Sequence, residues 1–303
     1  MDDSILRIED LRLTARSPRG PVPLVHGVDL SVDRGERVAL VGESGSGKSV
    51  TARAVLGLDD GIDATGRILV DGAEVLAMSE RELRRVRGRK VGMVFQDPLG
   101  SLDPLRRIGE HLTPLYRARG MNPREARAAT VRILAELGVP EPGLRAISYP
   151  HEFSGGMRQR VVIAMALAGE PDLLIADEPT TALDVRVQKQ VLQVMSDAAA
   201  SRGLAVLLIT HDVGIVAGFA DRVAVMYRGR IVEHAPVESF FGNPRHPYTQ
   251  ALLRAVPRID SDAPLSPLDR STIPEPDDEN SLLVEVAEGH FVARSGLVAG
   301  VVD

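Results

Sequence analysis

Residues 38–49 read VALVGESGSGKS, in which a short apolar run leads directly into a glycine-rich turn that ends in Lys48 and Ser49. A short continuous apolar run is typical of a buried strand in a parallel sheet. The turn fits the pattern G-x-x-x-x-G-K-[ST], and a preceding strand is the context in which that pattern binds phosphate. The stretch therefore predicts a phosphate-binding loop between a parallel strand and a helix.

Each residue type in this loop suits the binding of phosphate oxygens. Glycines let successive amide hydrogens converge on the phosphates, Lys48 brings a compact charge to the β- and γ-phosphates, and Ser49 offers a hydroxyl ligand for Mg²⁺. The chain contains only three lysines, so a lysine here indicates that a point charge is needed where a planar guanidinium would not fit. ATP and Mg²⁺ are the expected ligands, and the predicted binding residues are Gly42, Glu43, Ser44, Gly45, Ser46, Gly47, Lys48 and Ser49.

Two further apolar runs, residues 173–176 and 205–210, also end in chemically capable side chains. Ligands of open parallel sheets collect at the carboxyl ends of strands, so we expect one shared site. Asp177 is predicted to hold Mg²⁺, and Glu178 to orient or deprotonate the attacking water. His211 is predicted to hydrogen-bond the γ-phosphate and so to report its presence. The other six histidines are interpreted as structural or surface residues.

Two more motifs lie between these strands. Gln96, in VFQDP, has an amide suited to contact Mg²⁺ or the attacking water, although a loop glutamine without this role is common. Ser154-Gly155-Gly156 precedes a helix and offers an N-cap hydroxyl and open amides, which make a second anion site. Since the chain's own nucleotide needs only one such site, Ser154 to Met157 is predicted to serve the nucleotide of a second subunit. The alternative is an ordinary helix start.

Composition excludes several classes of function. There are no cysteines, so disulfides, cysteine nucleophiles and an iron–sulfur cluster are excluded. No apolar run approaches the roughly 18 residues of a membrane span, so a soluble chain with a membrane role only through partners is expected. The net charge is −6, and no strongly basic stripe indicates a nucleic-acid partner.

The pattern along the chain predicts an α/β protein with three parts. Residues 5–13, 24–32 and 66–72 read as strands of a small antiparallel sheet, beside the parallel core. A helical stretch covers about 98–160, and its clearest helix begins at Asn122-Pro123 and stops at Gly138. After residue 257, proline, serine and acidic residues predict a poorly ordered linker, and the apolar segment 281–293 is expected to dock back.

The motifs GESGSGKS, VFQDP, FSGGMRQR, LLIADEP and TALD, followed by His211, occur in this order and spacing, and with them the chain resembles the nucleotide-binding subunits of ABC transporters. The resemblance covers about residues 5–257. It implies a P-loop NTPase fold with a RecA-like parallel sheet, an antiparallel β subdomain and an inserted helical subdomain. It also implies head-to-tail dimers, in which Ser154, Gly155, Gly156 and Met157 complete the partner's ATP site and Asp184 links the two sites.

Within that family, QDPLGSLDPLRRIGEHL, YPHEFSGGMRQR and NPRHPYTQALLRAVP resemble the oligopeptide and dipeptide importer branch. The expected domains are an ATPase domain, 1–257, and a C-terminal extension of the branch's type, 258–303. The expected partners are a second ATPase, identical or paralogous, two membrane permeases and an extracytoplasmic binding protein. The expected location is the cytoplasmic face of the membrane. Importers of nickel or glutathione share these features and are the alternative.

Three positions depart from the family pattern. Ala15 stands where an aromatic ring is expected to stack on adenine, so stacking is weak or comes from Arg16. The signature reads FSGGM rather than LSGGQ, which does not indicate loss of function. Ala293 stands where the branch's C-terminal module often carries a cluster cysteine.

Two other classes of function fit the sequence less well. A soluble ABC ATPase acting on ribosomes or DNA usually has two cassettes or a long coiled-coil insertion, and neither occurs here. A module that holds ATP without turnover has no need of Glu178, and that carboxylate is present.

Overall fold

The computed structural model describes residues 3–97, 100–181, 183–255, 273–276 and 281–297. The strands in this part of the chain are β1 (Ser4–Ala15), β2 (Val22–Asp33), β3 (Arg37–Val41), β4 (Ile62–Val70), β5 (Ala73–Glu74), β6 (Val91–Val94), β7 (Leu173–Asp177), β8 (Ala205–Thr210), β9 (Arg222–Tyr227), β10 (Arg230–Pro236), β11 (Leu283–Ala287) and β12 (His290–Ala293). The helices are α1 (Lys48–Ala54), α2 (Glu80–Val86), α3 (Ile108–Ala118), α4 (Pro123–Glu136), α5 (Pro142–Arg145), α6 (Gly155–Leu167), α7 (Val185–Arg202), α8 (Val237–Gly242) and α9 (Pro247–Arg254).

The chain divides into two compact units. Unit 1 consists of Met1–Ile5, Asp33–Glu36 and Met78–Leu207, and unit 2 consists of Leu6–Val32, Arg37–Ala77 and Leu208–Asp303. Strand β8 therefore begins in unit 1 and ends in unit 2. The predicted domain boundary at residues 257 and 258 and the predicted linker up to residue 272 lie outside the described residues.

Unit 2 contains the predicted antiparallel sheet, with the strand order β2-β1-β4-β5. Leu6 of β1 lies opposite Val70 of β4, and the apolar side chains of β1 that alternate along one face are buried. The β4–β5 turn is formed by Asp71 and Gly72, both with positive φ (50° and 76°), as two-residue hairpins require. The prediction of a small antiparallel sheet is confirmed.

The C-terminal segment is added to the other sheet of unit 2. Strands β3 and β9 are parallel, β10 and β12 continue from β9 in antiparallel register, and β11 lies at the edge beyond β12. The predicted docking of residues 281–293 is thus confirmed. One part of the linker differs from the prediction of poor order. Ile273 is 6% exposed within the apolar core of this unit, and Glu275 pairs with Arg228. Burial of the apolar Ile273 side chain outweighs the polar composition around it.

Unit 1 contains the parallel pair β6 and β7 and the helices α3 to α6. Helix α4 begins as predicted. Asn122 Oδ1 accepts hydrogen bonds from the amides of Arg124 and Glu125 at 3.0 Å each, and Glu125 Oε2 accepts the Asn122 amide at 3.1 Å. The chain leaves the helix at Leu137 and turns at Gly138, with φ +67°. Its predicted apolar face is buried, with the side chains Ala126, Ile133, Leu134 and Leu137.

Across the described ranges, every helix is too short or too polar to pass through a bilayer.

His246, the N-cap of α9, makes the stability of the fold pH-dependent. It is fully buried, its Nδ1 accepts the Tyr248 amide at 3.1 Å, and burial lowers its pKa from 6.5 to about 4. As the pH falls, His246 therefore takes up a proton at a higher pH in the unfolded chain than in the folded chain. The stabilisation of the fold by the neutral imidazole is complete above pH ~6.5 and is lost as the pH falls toward 4. Between pH 7.5 and pH 5 we expect a loss of about 2 kcal/mol from this group.

Urea unfolding of the wild type and of His246→Asn at these two pH values measures the effect. Asparagine also accepts a hydrogen bond at an N-cap but does not titrate. Between the two pH values, the unfolding free energy of His246→Asn should therefore fall by about 2 kcal/mol less than that of the wild type. The exposed His151→Asn is the matched control. Equal pH dependence in all three proteins would contradict the assignment.

Candidate functional site

The predicted phosphate-binding loop lies in unit 2, between β3 and α1. Lys48 is only 3% exposed, and its Nζ donates to the carbonyls of Gly42 and Glu43 at 2.8 and 2.7 Å and to Ser46 Oγ at 3.3 Å. These bonds hold the ammonium group in the loop. The loop thus places a fixed positive charge beside backbone amides, the combination that binds phosphate.

Two glycines of the loop have no room for a side chain. Gly42 has φ +153°, and a Cβ there would lie 2.1 Å from the Met226 carbonyl oxygen. Gly47, the N-cap of α1, has φ +107°, and a Cβ there would lie 2.8 Å from Met226 Cε. The glycines at these positions are required by the path of the backbone against β9 as well as by the approach of phosphate.

A small cavity of about 150 Å³ adjoins the loop on the side of Ser44, Gly45 and Ser46. Glu43 also lines it, together with Tyr227 and Arg228, for which the sequence predicts no role. Arg228 has φ +46°, in the tight turn between β9 and β10, and its guanidinium lies over the Tyr227 ring. The sequence signals only a turn at Arg228 and Gly229, and a turn does not indicate that Tyr227 and Arg228 line a cavity beside the phosphate-binding loop.

The catalytic carboxylate predicted at the end of β7 lies in unit 1 and is held by neighbouring side chains. Glu178 is 8% exposed, and its Oε2 accepts hydrogen bonds from Gln96 Nε2 at 2.9 Å and Thr181 Oγ1 at 2.8 Å. Its backbone has φ +48°, which is unusual for a residue other than glycine. The structure therefore brings together two predicted residues, Gln96 and Glu178, and adds Thr181, which the sequence analysis missed.

Asp177, the last residue of β7, is 4% exposed. Asp177 and Gln96 offer a carboxylate and an amide oxygen in unit 1, and Ser49 offers a hydroxyl oxygen in unit 2. Oxygen donors are the ligands that Mg²⁺ prefers. The donor chemistry fits the predicted metal. Among the described residues, no group of three or more histidine, aspartate or glutamate side chains forms a separate metal site.

The SGG motif and the predicted D-loop residue Asp184 each lie at the start of a helix in unit 1. Ser154 caps α6, since its Oγ accepts the Met157 amide at 3.3 Å, and Gly155 is exposed. Asp184 caps α7 by accepting the amides of Arg186 and Val187 at 3.1 and 3.0 Å. Gly156 is buried between the starts of the two helices, and a Cβ there would lie 2.4 Å from Val187 Cγ1.

Gly156→Ala should therefore lower stability by about 1–3 kcal/mol, because the added methyl group overpacks the contact between α6 and α7. Urea unfolding measures the change. Gly143→Ala, at a helical position with nothing within 4 Å of the new Cβ, is the matched control and should change stability by less. An unaltered unfolding midpoint for Gly156→Ala would contradict the close packing at this helix start.

His211 and the region expected to contact adenine lie in unit 2. His211 directly follows β8 and is exposed. Ala15 ends β1 and is half-buried. Arg16, the alternative stacking residue, is exposed and donates to the Asp60 carbonyl at 2.7 Å and to Asp63 Oδ1 at 3.1 Å. Its guanidinium is thus held toward the β4 side of the sheet.

The candidate residues fall into one group in each unit. The phosphate-binding loop and His211 belong to unit 2, and Gln96, the SGG motif and the carboxylates belong to unit 1. The sequence predicts phosphate binding for the group in unit 2, and water activation and a helix-start anion site for the group in unit 1.

Comparison with known proteins gives matches over most of the chain. Residues 25–181 match the family described as ABC transporter, and residues 232–284 match the one described as oligopeptide/dipeptide transporter, C-terminal region. The chain is 47% identical over 261 residues to the oligopeptide transport ATP-binding protein OppD of Bacillus subtilis, which covers 85% of this chain and 73% of that protein. It is 45% identical over 272 residues to the dipeptide transport ATP-binding protein DppD of the same organism, covering 88% and 81%.

Solved structures of ATP-binding cassettes have the same fold. A dimeric cassette in a post-hydrolysis state, bound to ADP and Pi, is 29% identical with a TM-score of 0.68, covering 77% of this chain and 98% of that one. CbiO1 of Clostridium perfringens, part of an ABC transporter complex, is 27% identical with a TM-score of 0.70, covering 80% and 92%. These matches confirm the predicted fold class, an α/β P-loop NTPase.

Proposed function

The chain belongs to the ABC transporter family, and we propose that it is the subunit that binds and hydrolyses ATP to power an importer of di- or oligopeptides. The match of residues 232–284 to the oligopeptide/dipeptide transporter C-terminal region carries the substrate class. The identity of 45–47% with peptide-transport ATP-binding proteins over more than four fifths of the chain supports it.

We assign ATP binding to the loop from Gly42 to Ser49. Its amides and Lys48 neutralise the phosphate charge, and the bonds that fix Lys48 Nζ to two carbonyls prepare it for this role. Ser49, Asp177 and Gln96 would each offer an oxygen ligand to Mg²⁺, which when bound would supply positive charge against the β- and γ-phosphates.

Hydrolysis is assigned to Glu178, which orients the attacking water and takes its proton. Two hydrogen bonds to Oε2, from Gln96 and Thr181, restrict rotation of the carboxyl group and so orient it before water arrives. The proton leaves the water as its oxygen bonds to the γ-phosphorus and the bond to the β-phosphate oxygen breaks. His211 contacts the γ-phosphate and distinguishes ATP from ADP.

Each ATP is shared between two ATPase subunits in this proposal. The exposed Gly155 and the capped start of α6 offer amides to an anion outside their own chain. The dimeric state of solved cassettes supports this arrangement. Ser154, Gly155, Gly156 and Met157 then complete the partner's site, and Asp184, the N-cap of α7, links the two sites.

The remaining partners are two membrane permeases and an extracytoplasmic binding protein, which place the subunit at the cytoplasmic face of the membrane. A groove of about 770 Å³ in unit 1, between α3, α4 and α5, fits a permease segment. Ile147 lines it and is 58% exposed, and Leu105 and Leu144 nearby are 85% and 52% exposed. Exposed apolar side chains beside a groove are typical of protein contact surfaces.

Reconstitution with the permeases and binding protein tests the proposal. Peptide-loaded binding protein should stimulate ATP hydrolysis, whereas nickel or glutathione with the same components should not. Ile147→Glu should keep the basal hydrolysis rate and lose the stimulation. A response to nickel or glutathione alone would contradict the substrate class, and unchanged stimulation of Ile147→Glu would contradict the docking groove.

A further inference from the structure

Tyr248 connects α9 to the phosphate-binding loop within unit 2. Its side chain is fully buried, and its hydroxyl oxygen accepts the Glu43 amide at 3.0 Å. Its ring stacks on Tyr227, with centroids 4.3 Å apart and an interplanar angle of 29°. The stacked ring fixes where the hydroxyl group lies.

One peptide group joins this hydroxyl to the lysine of the loop. The Gly42 carbonyl and the Glu43 amide belong to the same planar unit. Its N–H donates to Tyr248, and its carbonyl accepts from Lys48 Nζ at 2.8 Å. If the peptide group rotates, Lys48 loses one of its carbonyl acceptors, so the Tyr248 hydroxyl controls a group that positions the lysine.

A buried carboxylate fixes the start of α9 to the C-terminal extension. Glu233 in β10 is fully buried and accepts the amides of Arg245 and His246 at 2.8 and 2.9 Å. His290, in β12, is 2% exposed, and its Nε2 lies 2.7 Å from Glu233 Oε1. The same carboxylate therefore holds both the segment before Tyr248 and the C-terminal hairpin formed by β11 and β12.

The extension also contacts the cap residue directly. His246 Nδ1 accepts the Tyr248 amide, and its Nε2 lies 3.4 Å from Ser295 Oγ. Gly296 lies against the imidazole, since a Cβ there would be 2.3 Å from His246 Cδ2. A continuous series of contacts thus leads from the C-terminal hairpin through His246 and Tyr248 to the loop.

We propose that Tyr248 is a positioning residue for the phosphate-binding loop and that the C-terminal hairpin, with Ser295 and Gly296 directly after it, clamps it, so that ATP affinity depends on the extension. This inference rests on the proposed ATPase function. It assigns the extension a role in nucleotide binding, in addition to marking the peptide-importer branch.

Tyr248→Phe in the full chain removes the acceptor of the Glu43 amide and keeps the ring. ATP affinity should fall about fivefold, the effect of one hydrogen bond. Hydrogen exchange of the Glu43 amide should also become faster without nucleotide, which a general loss of packing elsewhere would not cause. Tyr116→Phe, at a buried tyrosine of α3 in unit 1, is the matched control. Wild-type affinity and exchange in Tyr248→Phe would overturn the proposal.

Gly296→Val tests the clamp without altering a residue of the loop or α9. It should also lower the affinity for ATP. The double variant Tyr248→Phe/Gly296→Val should bind ATP no more weakly than the single variant with the lower affinity, because both substitutions act on one series of contacts. Gly218→Val, where a Cβ meets nothing within 4 Å, is the control. Additive losses, or none for Gly296→Val, would overturn the clamp. Absence of ATP binding by the wild type would contradict the proposed function, whereas the exchange measurement would still test Tyr248.

Discussion

Glu178→Gln is expected to bind ATP normally and to hydrolyse it about 10²–10⁴-fold more slowly than the wild type, the usual contribution of a general base. Glutamine keeps the length and shape of the side chain. Its amide oxygen can still accept from Gln96 and Thr181, so the surroundings of β7 should remain intact. The lost property is the negative charge that attracts the proton of the attacking water.

Two measurements separate binding from turnover. Titration with a fluorescent ATP analogue gives the Kd, and phosphate release under saturating ATP gives kcat. Glu238→Gln, at an exposed carboxylate of α8, is the matched control and should change neither. Wild-type turnover in Glu178→Gln would show that a different group activates the water.

Mixing two inactive variants should restore hydrolysis if each site is built from two subunits. Lys48→Ala removes the positive charge that binds phosphate in a subunit's own site. Ser154→Arg blocks the site that the subunit completes in its partner. In a mixed dimer both defects fall in one site and the other site is intact. Random mixing makes half of the dimers mixed, so the rate should recover to about a quarter of the wild-type value for a symmetric head-to-tail dimer.

The matched control carries both substitutions in one chain. When this double variant is mixed with wild type, each site of a mixed dimer contains one defect, so the mixed dimers should hydrolyse no ATP. The remaining wild-type dimers, one quarter of the total, should give about a quarter of the wild-type rate. Failure of the two single variants to restore hydrolysis, or about half of the wild-type rate in the control mixture, would contradict a site shared between copies of this chain. Full activity in isolated monomers would contradict it as well.

Much of the fold follows from local patterns that the sequence displays directly. The capping box of Asn122 and Glu125, the Asp71-Gly72 turn and the N-cap of Ser154 each depend on residues within four positions of one another. The phosphate-binding loop is equally local, because its lysine bonds to carbonyls five and six residues earlier. Such features were predictable because the interacting groups are neighbours in the chain.

The remainder depends on contacts between distant segments. Glu43 and Tyr248 are 205 positions apart, and nothing in either segment alone indicates that they meet. Ile273 lies in a stretch of proline and acidic residues, yet it is buried in the core of unit 2. Its burial became evident only from the fold, since one apolar side chain among polar neighbours gives no periodic pattern.

The left-handed backbone of Glu178, with φ +48°, has a consequence for how this protein can evolve. An L-residue other than glycine, asparagine or aspartate adopts this conformation at a cost of about 1 kcal/mol. Asparagine or glycine at position 178 would relieve that cost and remove the proposed proton acceptor. Selection for heat resistance alone would therefore favour variants without ATPase activity, and only selection for transport retains the glutamate.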